Sequence, residues 1–194
     1  MAPAGGGKAR EPDPAIGLVE LNSVAVGIAT ADAMVKRTPI ELLECRPICP
    51  GKFMVLVGGL TEEVNQAMAA GVARAADAVV DTLLLPHVHP SIFPALCGAV
   101  EAGPVEALGI VETISVASAI VAADASAKAA DVLLTELRLA NGLGGKSFYL
   151  MAGPLPAVQA AAAAAKGKIG ELGVLVRCEI VEQLHEAVRQ KVSY

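Results

Sequence analysis

Aromatic residues are scarce in this 194-residue sequence, and basic residues form no cluster. Tryptophan is absent, and Phe and Tyr together contribute only 3% of the chain. Single-stranded nucleic acids bind on stacked aromatic rings, and a nucleic-acid binder needs a basic face that neutralises phosphates. The chain instead carries 20 acidic against 15 basic side chains, a net charge of −5. We therefore expect no nucleic-acid partner.

Long apolar runs are also missing, although hydrophobic residues make up 54% of the chain and charged residues only 18%. A membrane-spanning helix needs about 18 or more consecutive apolar residues. The most apolar stretch, Ala160–Ala165, is far shorter. The sequence therefore predicts no membrane segment, while its high apolar content excludes a disordered chain.

The N-terminus and the cysteines bear on the compartment. Residues 1–14 are rich in Gly and Pro and lack the apolar segment of a secretory signal, so we expect a flexible tail. Four cysteines, Cys45, Cys49, Cys97 and Cys178, in a chain without such a signal favour the reducing cytoplasm. Cys97 and Cys178 lie in apolar segments, where we expect small core residues.

The motifs of common catalytic chemistries are absent as well. The chain has no Walker loop, no Ser/His/Asp constellation and no paired-carboxylate motif. His87 and His89 could share one face of an extended segment, but prolines on both sides indicate a loop and no third metal ligand is nearby. The sequence therefore predicts a protein that is not an enzyme.

An internal repeat organises the chain. Residues 15–36 recur as residues 107–128 at an offset of 92, with 12 of 22 positions identical. Later the offset becomes 94, because Gly51-Lys52 matches Gly145-Lys146. The second copy thus carries two extra residues near its central loop. Two copies predict a tandem, pseudo-symmetric protein rather than a solenoid.

Each copy shows the pattern β-α-β-β-α-β, the ferredoxin-like arrangement, and we predict an α+β fold of two such domains. In the first copy, we expect strands over 16–20, 40–46, 52–57 and 80–85, and helices over 23–35 and 61–76. Ser23 and Thr61 are the expected helix caps, and Gly58-Gly59 the expected end of the third strand. The predicted domains are 15–97 and 107–194, joined by a linker over 98–106.

One cysteine stands in a Pro-Gly turn, within Ile48-Cys49-Pro50-Gly51-Lys52, and so at the tip of a loop. A single thiolate does not hold an iron–sulfur cluster or a structural zinc, which take about four ligands. Cys45 lies about four strand residues earlier, roughly 13 Å away, too far to share one. Three copies of Cys49 around a three-fold axis could hold a cluster. The alternative is an ordinary small loop residue.

The corresponding loop of the second copy is Gly142-Leu143-Gly144-Gly145. It lies between two predicted strands rather than before a helix, so we expect a tight turn with close backbone approach rather than a phosphate site. Lys36 and Lys128 end equivalent helices, where each charge complements the helix dipole. Their recurrence favours a shared contact.

These features resemble a known family. The Gly-(Leu/Ile)-Val-Glu strand, the Ala-Asp-Ala…Lys helix end and the Gly-Lys after the central turn are similar to bacterial microcompartment shell domains, over about residues 15–190. Two such domains in one chain resemble the tandem-domain trimeric shell proteins. The likeness is greatest to the iron–sulfur shell proteins of propanediol-utilisation microcompartments. Their Ile-Cys-Pro-Gly-Lys-Phe loop matches residues 48–53 here, and their Gly-x-Gly-Gly-Lys loop matches residues 142–146.

The resemblance implies a homotrimer whose six domains form a pseudo-hexameric tile of a microcompartment shell within the cytoplasm, beside other shell proteins. It implies a central pore lined by residues 48–51. Three copies of Cys49 would hold one [4Fe–4S] cluster per trimer and pass electrons across the shell, with an encapsulated redox enzyme as a further partner. It places Lys36 and Lys128 at the edge between tiles.

Two alternatives stay open from the sequence. In one, the tile has an empty pore that conducts small polar metabolites, and Cys49 only lines it. In the other, the chain is a soluble ferredoxin-like protein that binds a ligand between its helices.

Overall fold

The computed structural model describes residues 14–98, 100, 103 and 106–192. The first unit contains β1 (Pro14–Leu21), α1 (Val24–Arg37), β2 (Glu41–Ile48), β3 (Lys52–Leu60), α2 (Thr61–Ala75), β4 (Val79–Leu85) and α3 (Ile92–Leu96). The second contains β5 (Ala107–Thr113), α4 (Val116–Ala129), β6 (Leu133–Arg138), β7 (Ser147–Gly153), α5 (Leu155–Ile169), β8 (Leu175–Glu182) and α6 (Glu186–Val192).

Each unit forms one four-stranded antiparallel sheet. The strand orders are β2-β3-β1-β4 and β6-β7-β5-β8, so the two units have the same topology. This order is that of the ferredoxin-like fold, and the predicted α+β class with two tandem domains is confirmed. Among the described residues, no helix is long and apolar enough to cross a membrane.

The described residues include only part of the predicted tail and linker. The expected tail over residues 1–14 lies outside the described residues except for Pro14, which already belongs to β1. Most of the predicted linker over 98–106 also lies outside them. The two domain limits therefore stay predictions.

Two local predictions were wrong. β3 does not end at Gly58-Gly59 but runs on to Leu60, which pairs with Pro14. A Cβ at position 58 would lie 3.1 Å from the ring of Phe93, so this glycine marks a close approach inside the strand. Thr61 is not the cap of α2, since the helix begins there.

The N-cap residues of α1 and α2 are Ser23 and Leu60. Leu60 occupies the N-cap of α2, and its N–H donates to Oε2 of Glu63 at 3.4 Å. The predicted cap of α1 is confirmed, because Oγ of Ser23 accepts from the N–H of Val26 at 3.3 Å.

Helix α6, which follows the last strand, was not predicted from the sequence.

The cores of the two units hold side chains of different size at equivalent positions. Gly27 of α1 faces Phe53 of β3, whereas the equivalent positions hold Ala119 and Ser147. Similarly, β3 carries Val55 where β7 carries Tyr149. The large ring of Phe53 thus lies against a residue without a side chain in the first unit, and in the second unit both positions hold small residues.

Tyr149 also brings a polar group into the second core. Its ring is fully buried, and its hydroxyl lies 2.7 Å from Oγ of Ser126 and 3.2 Å from the carbonyl oxygen of Ala122. Burial raises the pKa of Tyr149, so the hydroxyl stays protonated at every physiological pH.

Removing that hydroxyl should destabilise the chain. Tyr149→Phe keeps the ring but leaves Oγ of Ser126 with one partner fewer, and we expect a loss of about 1–2 kcal/mol in the free energy of unfolding. Urea denaturation followed by circular dichroism measures it. Val55→Thr, at the equivalent position of the first unit, gives a matched test of adding a hydroxyl there, with an expected loss as well.

The second face of the first sheet joins the two units. Ile16 and Leu18 of β1 point away from α1 and α2 and pack in one core cluster with Ile92 of α3. Helix α3 lies in turn against β6 and α4, and Ile120 of α4 belongs to the same cluster. The two domains of one chain therefore share a continuous core.

Candidate functional site

The first loop is a tight turn between β2 and β3. Ile48 is buried and closes β2, while Cys49 at the tip is partly exposed. The Cys49–Pro50 peptide bond is cis, and Gly51 takes a φ of 67°, a conformation that favours glycine. The sequence thus sets the thiol on a short, constrained turn, as predicted.

The second loop connects β6 to β7 and depends on glycine. Gly142, Gly144 and Gly145 take positive φ values of 71°, 62° and 97°. The N–H of Lys146 donates to the carbonyl oxygen of Leu143 at 3.2 Å and closes the turn. The loop lies between strands and not at the start of a helix, which agrees with the predicted tight turn.

The two loops contact each other. The N–H of Cys49 donates to the carbonyl oxygen of Ala140 at 3.2 Å. A Cβ on Gly145 would lie 3.2 Å from the carbonyl oxygen of Cys49 and 3.1 Å from Cδ of Pro50, so only glycine fits there without a shift. Nη2 of Arg46 adds a bond of 2.8 Å to the carbonyl oxygen of Leu139. The sequence predicted both loops but not their contact.

Ion pairs flank both loops. Nζ of Lys52 pairs with Oε2 of Glu20, and Nζ of Lys146 pairs with Oε1 of the equivalent Glu112. The carboxylate of Glu20 is 1% exposed and that of Glu112 is 29% exposed, so only the first carboxylate is buried. Val-Glu and Gly-Lys recur in both copies and were the sequence signal for these pairs, but no local pattern connects the two motifs.

A cavity of about 240 Å³ opens where the two domains meet beside these loops. It is lined by the equivalent ion pairs Arg46–Glu44 and Arg138–Glu136, and by Cys97. Each arginine is paired with a glutamate, so the wall of the cavity carries both positive and negative groups and no net charge from these four residues. Cys97 is exposed here, and its expected place in the core was wrong because α3 ends at the domain junction.

Two of the other thiols ionise less readily than a free cysteine. Burial raises the pKa of Cys45 and of Cys178, and the thiolate is the form that binds metal. Over the described ranges, no three His, Cys, Asp or Glu side chains of one chain gather where they could hold a metal ion. One chain therefore brings Cys49 alone to the meeting point of the two loops.

The predicted edge lysines are both ion-paired. Nζ of Lys36 lies 2.6 Å from Oδ2 of Asp32, and Nζ of Lys128 lies 2.6 Å from Oδ2 of Asp124. Only the second aspartate has a further role, since its Oδ1 accepts from the N–H of His89 at 2.8 Å. His89 thus joins the two domains through its backbone, and among the described residues it belongs to no group of three or more side chains that could hold a metal ion.

Comparisons with known proteins match both units. Residues 15–88 and 107–183 each match the BMC domain family. Across 92% of this chain and 98% of the relative, the sequence is 42% identical to the bacterial microcompartment shell protein PduT of Citrobacter freundii. The carboxysome shell protein CsoS1 of Prochlorococcus marinus is 36% identical over 42% of this chain and 82% of its own length.

Solved structures agree with the sequence matches. A microcompartment protein of Desulfitobacterium hafniense has a TM-score of 0.89 and 42% identity, covering 91% of this chain and 98% of that one. The fused permuted hexameric shell protein MSM0275 has a TM-score of 0.59 at 20% identity, over 82% of this chain and 85% of that one, which supports the fold alone.

Proposed function

Because this chain belongs to the BMC domain family of bacterial microcompartment shell proteins, we propose that it forms a trimeric tile whose central pore holds a [4Fe–4S] cluster. The chain is a structural shell protein rather than an enzyme. In the proposal, three copies of Cys49 bind one cluster per trimer, and the cluster passes electrons across the shell.

The contact between the two loops is the observation that carries the proposal. One chain supplies two similar domains, and the loop of each points to the same place, where the N–H of Cys49 meets the carbonyl oxygen of Ala140. Identical chains related by a closed rotation bring identical loops around one axis. Three chains of two domains then give a six-membered ring whose centre is formed by these loops.

The residues of the turn fit a cluster of this kind. Cys49 is partly exposed at the tip, so its thiolate reaches the axis without being buried in its own chain. The hydrogen bond from the N–H of Cys49 to Ala140 ties the turn to the second loop, and Gly145 lets the two loops approach closely. A [4Fe–4S] cluster normally takes four cysteines, so three chains leave one iron without a cysteine. When bound, the cluster supplies one-electron transfer.

The edge of the tile is the second part of the proposal. Lys36 and Lys128 end equivalent helices, and their side chains are 73% and 42% exposed. These lysines face neighbouring tiles in the proposed shell layer, beside other shell proteins and an encapsulated redox enzyme that exchanges electrons with the cluster.

Electron paramagnetic resonance of anaerobically purified, reduced protein tests the cluster. We expect a signal of a reduced [4Fe–4S] cluster from the natural chain and its complete loss in Cys49→Ser. Cys97→Ser, which removes another exposed thiol near the domain junction, should keep the signal. A colourless natural chain without bound iron after anaerobic reconstitution would refute the cluster and leave an empty pore that conducts small polar metabolites.

Electron microscopy of the overexpressed chain tests the tile. We expect flat sheets, tubes or closed shells in both the natural chain and Cys49→Ser, because assembly depends on the faces and edges of the domains. A discrete particle that never associates further under any condition would contradict the shell layer.

A further inference from the structure

A cavity of about 400 Å³ opens at the end of the first sheet that lies away from the Cys49 turn. Its wall includes Pro14, where β1 begins, and Glu41, where β2 begins. Cys49 follows the other end of β2, about 25 Å away at the rise of an extended strand. The cavity is therefore separate from the two loops described above.

The wall of this cavity is apolar in one part and acidic in another. Leu60 of β3 and Phe93 of α3 line the apolar part, and Leu60 is 47% exposed. The carboxylates of Glu41 and Glu63 line the acidic part, and no basic side chain among the described residues lines the cavity. Water thus contacts apolar surface next to two negative charges, which suits an occupant that has an apolar group and a positive charge.

The equivalent positions of the second unit carry no acid. Glu41 corresponds to Leu133, and Glu63 corresponds to Ala157. The segments that precede the two sheets also differ, because β5 follows the connection from the first unit whereas β1 follows residues 1–13. The acidic lining and the N-terminal segment therefore occur together, in the first unit only.

Residues 8–13, with the sequence Lys-Ala-Arg-Glu-Pro-Asp, end at the wall of this cavity. Glu11 and Asp13 each precede a proline, which favours an extended backbone at both positions. Alternate side chains of an extended chain point to opposite sides, so Arg10 faces away from both acids. Arg10 is four residues before Pro14, which gives a reach of about 13 Å plus the length of its own side chain.

We propose that residues 8–13 occupy this cavity in their own chain, with the guanidinium of Arg10 paired with the carboxylate of Glu41 and the ring of Pro12 packed on Phe93. Docking costs little chain entropy, because the prolines already restrict the segment and β1 fixes one of its ends. The segment precedes the matched family domains, and its docking does not depend on the trimer.

Trypsin cleavage of the full chain tests the docking. Cleavage after Arg10 should be slower in the natural chain than in a peptide of residues 1–16, because a docked segment must leave the cavity before it is cut. Glu41→Gln should speed this cleavage about fivefold, through the loss of an exposed ion pair. Glu62→Gln, which removes an exposed carboxylate of α2 outside the cavity, should leave the rate unchanged. An unchanged rate in Glu41→Gln, or equal rates in the natural chain and the peptide, would overturn the proposal.

A cross-link without a spacer identifies the two partners. A water-soluble carbodiimide joins an amine to a neighbouring carboxylate as an amide, so in Arg10→Lys it should link position 10 to Glu41 within one chain. Mass spectrometry of the digested protein locates the link, and adding Glu41→Gln should abolish it. A link between two chains would mean that the segment of another copy fills the cavity. That result, or no link at position 10, would overturn the proposal.

Discussion

Lys52→Ala should lower the free energy of unfolding by about 3–5 kcal/mol, because it leaves the buried carboxylate of Glu20 without its cation. The side chain of Glu20 is 1% exposed, and its Oε1 has no hydrogen-bond partner in the structure. Lys52 is therefore the cation that, within the described part of the chain, pairs with Glu20 and offsets the cost of burying this charge. Urea denaturation at a fixed protein concentration measures the change.

The second domain supplies the control for this experiment. Lys146→Ala removes the equivalent cation, but Glu112 and Lys146 are 29% and 43% exposed, so water can solvate the remaining carboxylate. We expect a loss below about 1 kcal/mol. Equal losses in the two variants would contradict the claim that the burial of the Glu20 carboxylate decides the effect.

Gly27→Ala should destabilise the chain by about 1–3 kcal/mol through overpacking. A Cβ at this position would lie 2.2 Å from Cδ1 of Phe53, whose ring is buried and would have to shift within the core. Thermal unfolding of the variant should therefore begin at a lower temperature.

Replacing a glycine that has open space around it should raise the free energy of unfolding instead of lowering it. Gly167 lies in α5 with no atom within 4 Å of the place a Cβ would take. Gly167→Ala should stabilise the chain by about 0.5–1 kcal/mol, because alanine restricts the unfolded chain and favours the helix. If the two variants shift stability in the same direction, the close packing of Gly27 against Phe53 is not what decides the effect.

Local signals in the sequence predicted most of the fold. The repeat required the same topology twice, and the switch between strand and helix periodicity gave the order of elements. The Ser23 cap followed from chemistry within one turn of helix. The Gly58-Gly59 pair was misjudged as a strand end because Gly58 lies against Phe93, a residue far along the chain whose ring approaches the place of a Cβ to 3.1 Å.

The site was predictable only as separate parts. The Cys49 turn and the glycine loop of the second copy could each be found from residues close in sequence. Their contact depends on how the second face of the first sheet packs against the second domain, which no local pattern encodes. For the same reason, equivalent residues such as Ile28 and Ile120 differ in burial, 58% against 0% exposed, although the sequence around them repeats.

Native mass spectrometry of anaerobically prepared protein measures the chain number and the bound cluster together. We expect a particle of three 19.6 kDa chains carrying the mass of one [4Fe–4S] cluster. Cys49→Ser should give three chains and no added mass. A particle of any other chain number, or a cluster that persists after Cys49→Ser, would contradict the trimeric cluster site.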